Sequence, residues 1–191
     1  MGLIIYPGFL GLLSDFDFLP PVRGEVLLGY SMGGRLALRT LESGAAAASA
    51  AVIVSAGLNA PDDERRKHDE EWARRFEHEE WSTLMRDWNA QPVFGGHVVE
   101  RREEDYDRRE LARQLREWSP AVLPPPRLES IDTPVLWIAG ERDAKYVEIG
   151  REAVKRLPHA ELWICPNAGH RVPWEQPEAF AGALRAFLDL H

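Results

Sequence analysis

Five short apolar segments constrain the fold of this chain more than any other feature. Each is continuously apolar rather than alternating, which is typical of strands covered on both faces of a parallel sheet. They occupy residues 3–6, 25–29, 51–55, 134–139 and 161–165. Helical patterns lie at 32–42, 147–157 and 177–190. Strand followed by helix, repeated, predicts an α/β fold with a reduced, mostly parallel sheet of about five strands.

One region, residues 61–118, interrupts this alternation. It has no strand pattern and is crowded with arginine, glutamate, aspartate and tryptophan. Helices are indicated at 64–76, 81–88 and 106–118, the first capped by Asp62 or Asp63. We therefore predict a helical cap at 61–118, inserted into a core formed by residues 1–60 and 119–191. Residues 121–127, with three consecutive prolines, resemble a linker back to the core.

Composition excludes several classes of function. The 191 residues include 31 acidic and 23 basic ones, a formal net charge of −8, so a global basic footprint for nucleic acid is absent. A single cysteine, Cys165, excludes an intrachain disulfide and a zinc site of several thiolates, and its apolar surroundings predict a buried structural thiol. No apolar run reaches the roughly 18 residues that span a bilayer. We expect a cytoplasmic protein with no membrane partner, metal or cofactor.

The sequence Gly29-Tyr30-Ser31-Met32-Gly33 directly follows one apolar strand and directly opens a helix. The pattern Gly-x-Ser-x-Gly in this context is typical of a nucleophile elbow, a strained turn that lifts the serine hydroxyl clear of the sheet. The alternative is a glycine-rich connection with an ordinary capping serine. We predict that Ser31 is the activated serine.

A serine hydroxyl needs a histidine to take its proton and an acid to orient that histidine, in the chain order serine, acid, histidine. His170 follows the last strand and is the predicted base. Asp143 and Glu141 both follow the fourth strand. Asp143 is favoured because it lies further past the strand end, and Glu141 is expected to cap or to pair with an arginine.

The negative charge of a reacting group requires backbone N–H donors. Met32, the residue after the serine, is one candidate. Phe9, in the loop after the first strand, is the other. The alternative for Pro7-Gly8 in that loop is a plain turn.

Taken together, these segments resemble the α/β-hydrolase superfamily. Within it they are similar to the menaquinone-pathway family of 2-succinyl-6-hydroxy-2,4-cyclohexadiene-1-carboxylate synthases, over about nine-tenths of the chain. The matching motifs are Gly-Tyr-Ser-Met-Gly-Gly-Arg at 29–35, residues 64–72, Asp87-Trp88 with Gln91-Pro92-Val93-Phe94, residues 140–146, and Ala168-Gly169-His170. The cap segment ending in Gln-Pro-Val-Phe discriminates this family from generic esterases.

The resemblance implies an α/β-hydrolase fold and a lyase reaction. Pyruvate would be eliminated from 2-succinyl-5-enolpyruvyl-6-hydroxy-3-cyclohexene-1-carboxylate, with the serine acting as base. The small anionic substrate implies arginine ligands. The resemblance assigns substrate binding to Tyr30, Arg35, Arg65 and Trp88. Arg116 corresponds to a further family arginine only through a gapped alignment.

The chain departs from the family in two places. Pro7-Gly8-Phe9 stands where the family has His-Gly-Phe. Residues 10–23 leave no room for the additional strand and crossover helix found in the family. The first strand is therefore predicted to be an exposed edge, covered by residues 12–21 or by a second copy of the chain in a homo-oligomer.

Two other functions remain open at this point. The same three residues serve acyl transfer in a carboxylesterase. A shortened hydrolase fold could also be an inactive binding module.

Overall fold

The computed structural model describes residues 2–19 and 21–191. The chain divides into two compact units, residues 1–57 with 126–191 and residues 58–125. The second unit is wider at both ends than the predicted cap, and residues 121–125 of the predicted linker belong to it. Within it, the Arg66 guanidinium donates to the carbonyl oxygen of Ala121 at 3.5 Å.

The first unit is built on a five-stranded sheet in which every neighbouring pair is parallel and the strands lie in chain order. The strands are β1 (Gly2–Tyr6), β2 (Glu25–Tyr30), β3 (Ala50–Val54), β4 (Val135–Gly140) and β5 (Ala160–Cys165). The three central strands are almost wholly buried, which is why they appear in the sequence as uninterrupted apolar runs. The prediction of an α/β fold with about five mostly parallel strands is confirmed.

Helices cover both faces of this sheet. The helices of the first unit are α1 (Met32–Glu42), α5 (Ala144–Arg156), the short α6 (Val172–Glu175) and α7 (Pro177–Leu188). Helices α1 and α5 pack on one face. On the other face, Phe180 and Leu184 of α7 are buried against Leu28, Val52 and Ile138 of the central strands, an apolar core cluster that fixes the sheet.

Strand β1 forms an edge of the sheet. Among the residues that the structure describes, it pairs with β2 alone. Residues 12–21 were predicted to cover this edge, although Pro20 lies outside the described residues. The 3-10 turn Leu13–Phe16 buries Phe16 in the apolar core cluster, against which Leu3 and Ile5 of β1 also pack. Coverage of the edge by residues 12–21 stays a prediction.

The second unit is helical, with α2 (Asp63–His78), α3 (Trp81–Asn89) and α4 (Arg108–Glu117). The Asp62 carboxylate accepts from the amide of Glu64 and caps α2, as the sequence indicates. Aromatic rings fill the interior of this unit. Phe76 is fully buried and contacts Trp72, Trp81 and Trp88. No helix in residues 2–19 or 21–191 is long and apolar enough to cross a membrane.

Candidate active site

Ser31 occupies a sharp turn between β2 and α1. Its backbone has φ 51° and ψ −116°, a conformation that residues with a side chain rarely adopt. Its amide donates to the carbonyl oxygen of Val54 at the end of β3, at 2.8 Å. The turn is held at the carboxyl end of the parallel sheet, where ligands bind in α/β folds.

Glycine at position 33 allows the loop after β1 to approach this turn. A Cβ atom there would collide with the backbone of Tyr6 and Gly8. The loop carrying Phe9 therefore lies against the serine turn. Met32 is the first residue of α1, so its backbone amide has no acceptor within the helix. The pairing of Phe9 and Met32 as donors to a reacting oxygen stays a prediction.

Three predicted residues meet in one hydrogen-bonded array. The Ser31 Oγ atom lies 3.2 Å from Nε2 of His170, and Nδ1 of His170 lies 2.7 Å from Oδ2 of Asp143. His170 is only 2% exposed, so this array is largely shielded from solvent. Ser31 is 139 positions from His170 in the chain, and strand pairing rather than sequence proximity brings them together.

The two residues considered as the acid have different contacts. Asp143 directly precedes α5, and its carboxylate turns to His170. The Glu141 carboxylate accepts from the backbone amide of Asn167 at 3.0 Å, so it joins the loop after β4 to the loop after β5. The pairing of Glu141 with an arginine or a helix end is thus replaced by a contact with the histidine loop.

Aromatic rings surround the imidazole of His170. The Tyr30 ring lies 5.7 Å from it, and the Tyr146 ring lies 4.4 Å from it in a T-shaped contact. Trp174 packs edge-on against Tyr30 at 4.9 Å. Burial raises the pKa of the Tyr30 hydroxyl far above its ordinary value, so it stays neutral. Sequence reasoning did not single out Tyr146 or Trp174, although Tyr146 lies one helical turn beyond Asp143.

Arg35 is fully buried one turn beyond Ser31. Its Nη1 donates to the carbonyl oxygen of Gly57 at 3.2 Å. Burial, with a smaller contribution from Arg39, lowers the pKa of the Arg35 guanidinium to about 10.

The remaining predicted ligands belong to the second unit. Arg65 is 48% exposed in its side chain and donates from Nε to Oδ1 of the nearly buried Asp69, at 2.7 Å. Trp88 packs edge-on against Trp72 at 4.9 Å and against Phe76 at 5.4 Å. Arg65 thus forms an ion pair, and Trp88 belongs to an aromatic cluster.

Arg116 and Cys165, which the sequence analysis also named, lie in an ion-pair network and in a buried strand end respectively. Arg116 donates to both Glu70 and Glu77, an ion-pair network within the second unit. Cys165 is buried at the end of β5, and burial raises the pKa of its thiol to about 11. The prediction of a buried thiol is confirmed.

Comparison with known proteins identifies relatives of this chain. The model of the Alpha/beta hydrolase family matches residues 7–183. The 2-succinyl-6-hydroxy-2,4-cyclohexadiene-1-carboxylate synthase of Serratia proteamaculans is 33% identical over 175 residues, which are 85% of this chain and 67% of the relative. The synthase of the same name from Escherichia coli is 32% identical over 174 residues, again 85% and 67% of the two chains.

Solved structures show the same similarity. MenH from S. aureus superposes with a TM-score of 0.79 and 26% identity, over 87% of this chain and 68% of that chain. A thermophilic esterase from Thermogutta terrifontis superposes with a TM-score of 0.64 at 21% identity, over 86% and 64%, which shows the fold alone. The resemblance drawn from the sequence motifs is confirmed.

Proposed function

Because the chain belongs to the Alpha/beta hydrolase family, we propose that it is a carbon–oxygen lyase of the synthase type. It eliminates pyruvate from 2-succinyl-5-enolpyruvyl-6-hydroxy-3-cyclohexene-1-carboxylate to give 2-succinyl-6-hydroxy-2,4-cyclohexadiene-1-carboxylate. The observation that carries the proposal is the array of Ser31, His170 and Asp143, in a chain whose relatives bear that synthase's name.

The array supplies a base. Asp143 accepts the Nδ1 proton of His170, so that the Nε2 lone pair accepts a proton from Ser31. Ser31 Oγ then takes a proton from a ring carbon of the substrate as its own proton passes to His170. The electron pair of the broken C–H bond at C2 forms a C2=C3 bond, the ring C3=C4 pair shifts to C4=C5, and the C5–O bond to the enolpyruvyl group breaks. The departing enolate recovers the proton and tautomerises to pyruvate.

Developing negative charge needs donors close to the serine. We assign this role to the amides of Phe9 and Met32, since the loop after β1 lies against the start of α1. Removal of one such donor costs about 10²–10³-fold in kcat in enzymes with comparable sites.

The substrate carboxylates require cationic ligands. Arg35 is one helical turn beyond Ser31, and a bound carboxylate would offset the cost that burial imposes on its charge. Tyr30, beside the nucleophile, keeps the substrate-binding role implied by the resemblance as a prediction, and its ring is buried against Trp174. Arg65 and Trp88 keep the substrate-binding roles implied by the resemblance as predictions, to be tested by substitution.

The test is pyruvate release from the enzymatically prepared substrate, followed by coupled oxidation of NADH with lactate dehydrogenase. Wild type is expected to release one pyruvate per substrate, and Ser31→Ala to release none above background. Efficient hydrolysis of a chromogenic short-chain ester, abolished in Ser31→Ala, together with no pyruvate release would instead establish a carboxylesterase. Inactivity of the folded protein on both substrates would favour a binding module.

A further inference from the structure

One carboxylate, that of Glu175, binds the backbone on both sides of His170. Its Oε2 accepts from the amide of Gly169 at 2.8 Å, and its Oε1 accepts from the amide of Arg171 at 3.1 Å. The two amides flank the imidazole-bearing residue directly. We infer that Glu175 is a positioning residue, which sets the reach of the His170 imidazole to Ser31.

The contacts of Glu175 account for its burial. Its side chain is only 6% exposed, and burying a carboxylate is costly unless it is hydrogen-bonded. Two backbone amides and the Arg142 guanidinium, which donates to Oε2 at 2.8 Å, satisfy it. Charge-assisted bonds of this kind are stronger than neutral ones. The histidine loop is therefore held by a group buried next to it.

The same loop is joined to the loop that bears the acid. The amide of Arg142 donates to the carbonyl oxygen of Ala168 at 2.8 Å, and Glu141 accepts from the amide of Asn167. These contacts fix Asp143 relative to the start of the histidine loop. Glu175 fixes the end of that loop, so hydrogen bonds hold the backbone on both sides of the imidazole.

The distance between Ser31 and His170 makes the position of the imidazole important. At 3.2 Å, the contact between Ser31 Oγ and His170 Nε2 is long for a hydrogen bond to a hydroxyl, so a small displacement would break it. Without Glu175, two partly buried amides would lose their acceptors and the loop would rearrange to find others. Misplacement of a reacting group by about 1 Å can cost about 10²-fold in rate.

The inference rests on the proposed role of His170, but its test does not require the physiological substrate. A fluorophosphonate probe reacts with a serine activated by histidine, whatever that serine's natural reaction. The rate constant for labelling Ser31 therefore reports the serine–histidine contact directly. Absence of pyruvate release with normal labelling would reject the lyase and leave Glu175 testable.

Glu175→Gln is the main variant because it is nearly isosteric. Its amide oxygen can accept one of the two backbone protons, whereas its NH₂ group must face the other donor. We expect labelling to slow by about 10- to 100-fold. With any substrate that turns over, kcat should fall while KM stays near that of wild type. The downfield proton resonance of the His170 Nδ1–H group should weaken or shift.

Two controls separate positioning from general stability. Arg142→Met removes the exposed partner of Glu175 and leaves both amide contacts, so labelling should change less than about threefold. Glu178→Gln removes a nearby exposed acid and should have no effect. Labelling of Glu175→Gln within threefold of wild type, with an unchanged proton resonance, would overturn the inference. If Glu175→Gln unfolds, as judged by circular dichroism, the proton resonance and labelling rate of Glu175→Asp decide, since the shorter side chain cannot span both amides.

Discussion

Different interactions stabilise the interior of each of the two units. In the first unit, β2, β3 and β4 are buried on both faces, and backbone hydrogen bonds fix their register. In the second, helices join through aromatic rings and arginine–carboxylate networks such as Arg116 with Glu70 and Glu77. The apolar strand side chains that pack the first unit do not titrate, whereas the arginine–carboxylate pairs of the second do. Fixed catalytic geometry belongs naturally to the first kind of structure.

The sharpest test of the comparison is Ser31→Ala. Loss of an activated serine typically costs about 10⁴-fold or more in kcat. The melting temperature should stay near that of wild type, because the hydroxyl is held by one long contact. Pyruvate release and thermal melting measure the two effects. An active Ser31→Ala variant would reject the central role of the first unit.

Phe76→Ala should damage the second unit most. Phe76 is fully buried among Trp72, Trp81 and Trp88, and phenylalanine-to-alanine changes in cores cost about 3–5 kcal/mol. Denaturant unfolding followed by tryptophan fluorescence measures the loss. Phe180→Ala, also fully buried but in the first unit, is the matched control. If the units unfold independently, each variant should shift only its own transition.

Arg116→Met should lower the stability of the second unit by about 1 kcal/mol, the upper end for solvent-screened ion pairs, because Arg116 is partly exposed and forms a network with two carboxylates. It removes contacts of 2.8 Å to Glu70 and 2.6 Å to Glu77. Arg74→Met is the control, since Arg74 is largely exposed and its pair with Glu70 should contribute little. Equal destabilisation by the two variants in urea titrations would contradict a network centred on Arg116.

Acid should weaken the ion-pair network around Arg116 in the second unit. Hydrogen bonds from Arg116 hold the pKa values of Glu70 and Glu77 below the ordinary 4.5. A depressed carboxyl pKa contributes stability above the unfolded value, and that stability is lost as pH falls from about 4.5 through the folded values. Urea midpoints measured between pH 7 and 3 should therefore decline, and Arg116→Met should decline less. If the urea midpoints of wild type and Arg116→Met fall equally with pH, the lowered pKa values of Glu70 and Glu77 do not depend on Arg116.

The smallest effect concerns the edge strand. Because Gly2 donates to Gly24 in the parallel ladder, the amides of Leu3 and Ile5 face away from β2. If a second copy covers this edge, as the sequence predicts, Leu3→Pro should separate the copies, whereas Leu3→Ala should not. Sedimentation gives the mass of each. A monomeric wild type would remove the homo-oligomer from consideration.

The features that the sequence could predict depend on local patterns. Burial on both faces leaves continuous apolar runs, so the predicted strand at 134–139 lies one residue from the observed Val135–Gly140. Ser31, Asp143 and His170 could be chosen because parallel strands align their carboxyl ends, and each of the three follows such an end.

The features that the sequence could not predict depend on side-chain direction. Glu175 reaches back to the histidine loop only because the four-residue helix Val172–Glu175 turns it there. The motif around Ser31 locates Arg35 one turn along α1, but not its burial against the carbonyl of Gly57. Tertiary packing decides both orientations, and neither leaves a periodic signal in the chain.

The position of the second unit within the chain also has a consequence for folding kinetics. Ladder β3–β4 pairs Ala51 with Val135, a far larger sequence separation than in the other three ladders. Loop closure over a flexible chain costs more as the loop lengthens, by about 0.6 kcal/mol per doubling. Early collapse of residues 58–125 would shorten the effective loop before β4 docks. Since Ser31 precedes the insertion whereas Asp143 and His170 follow it, the nucleophile meets its partners only when this slowest pairing is complete.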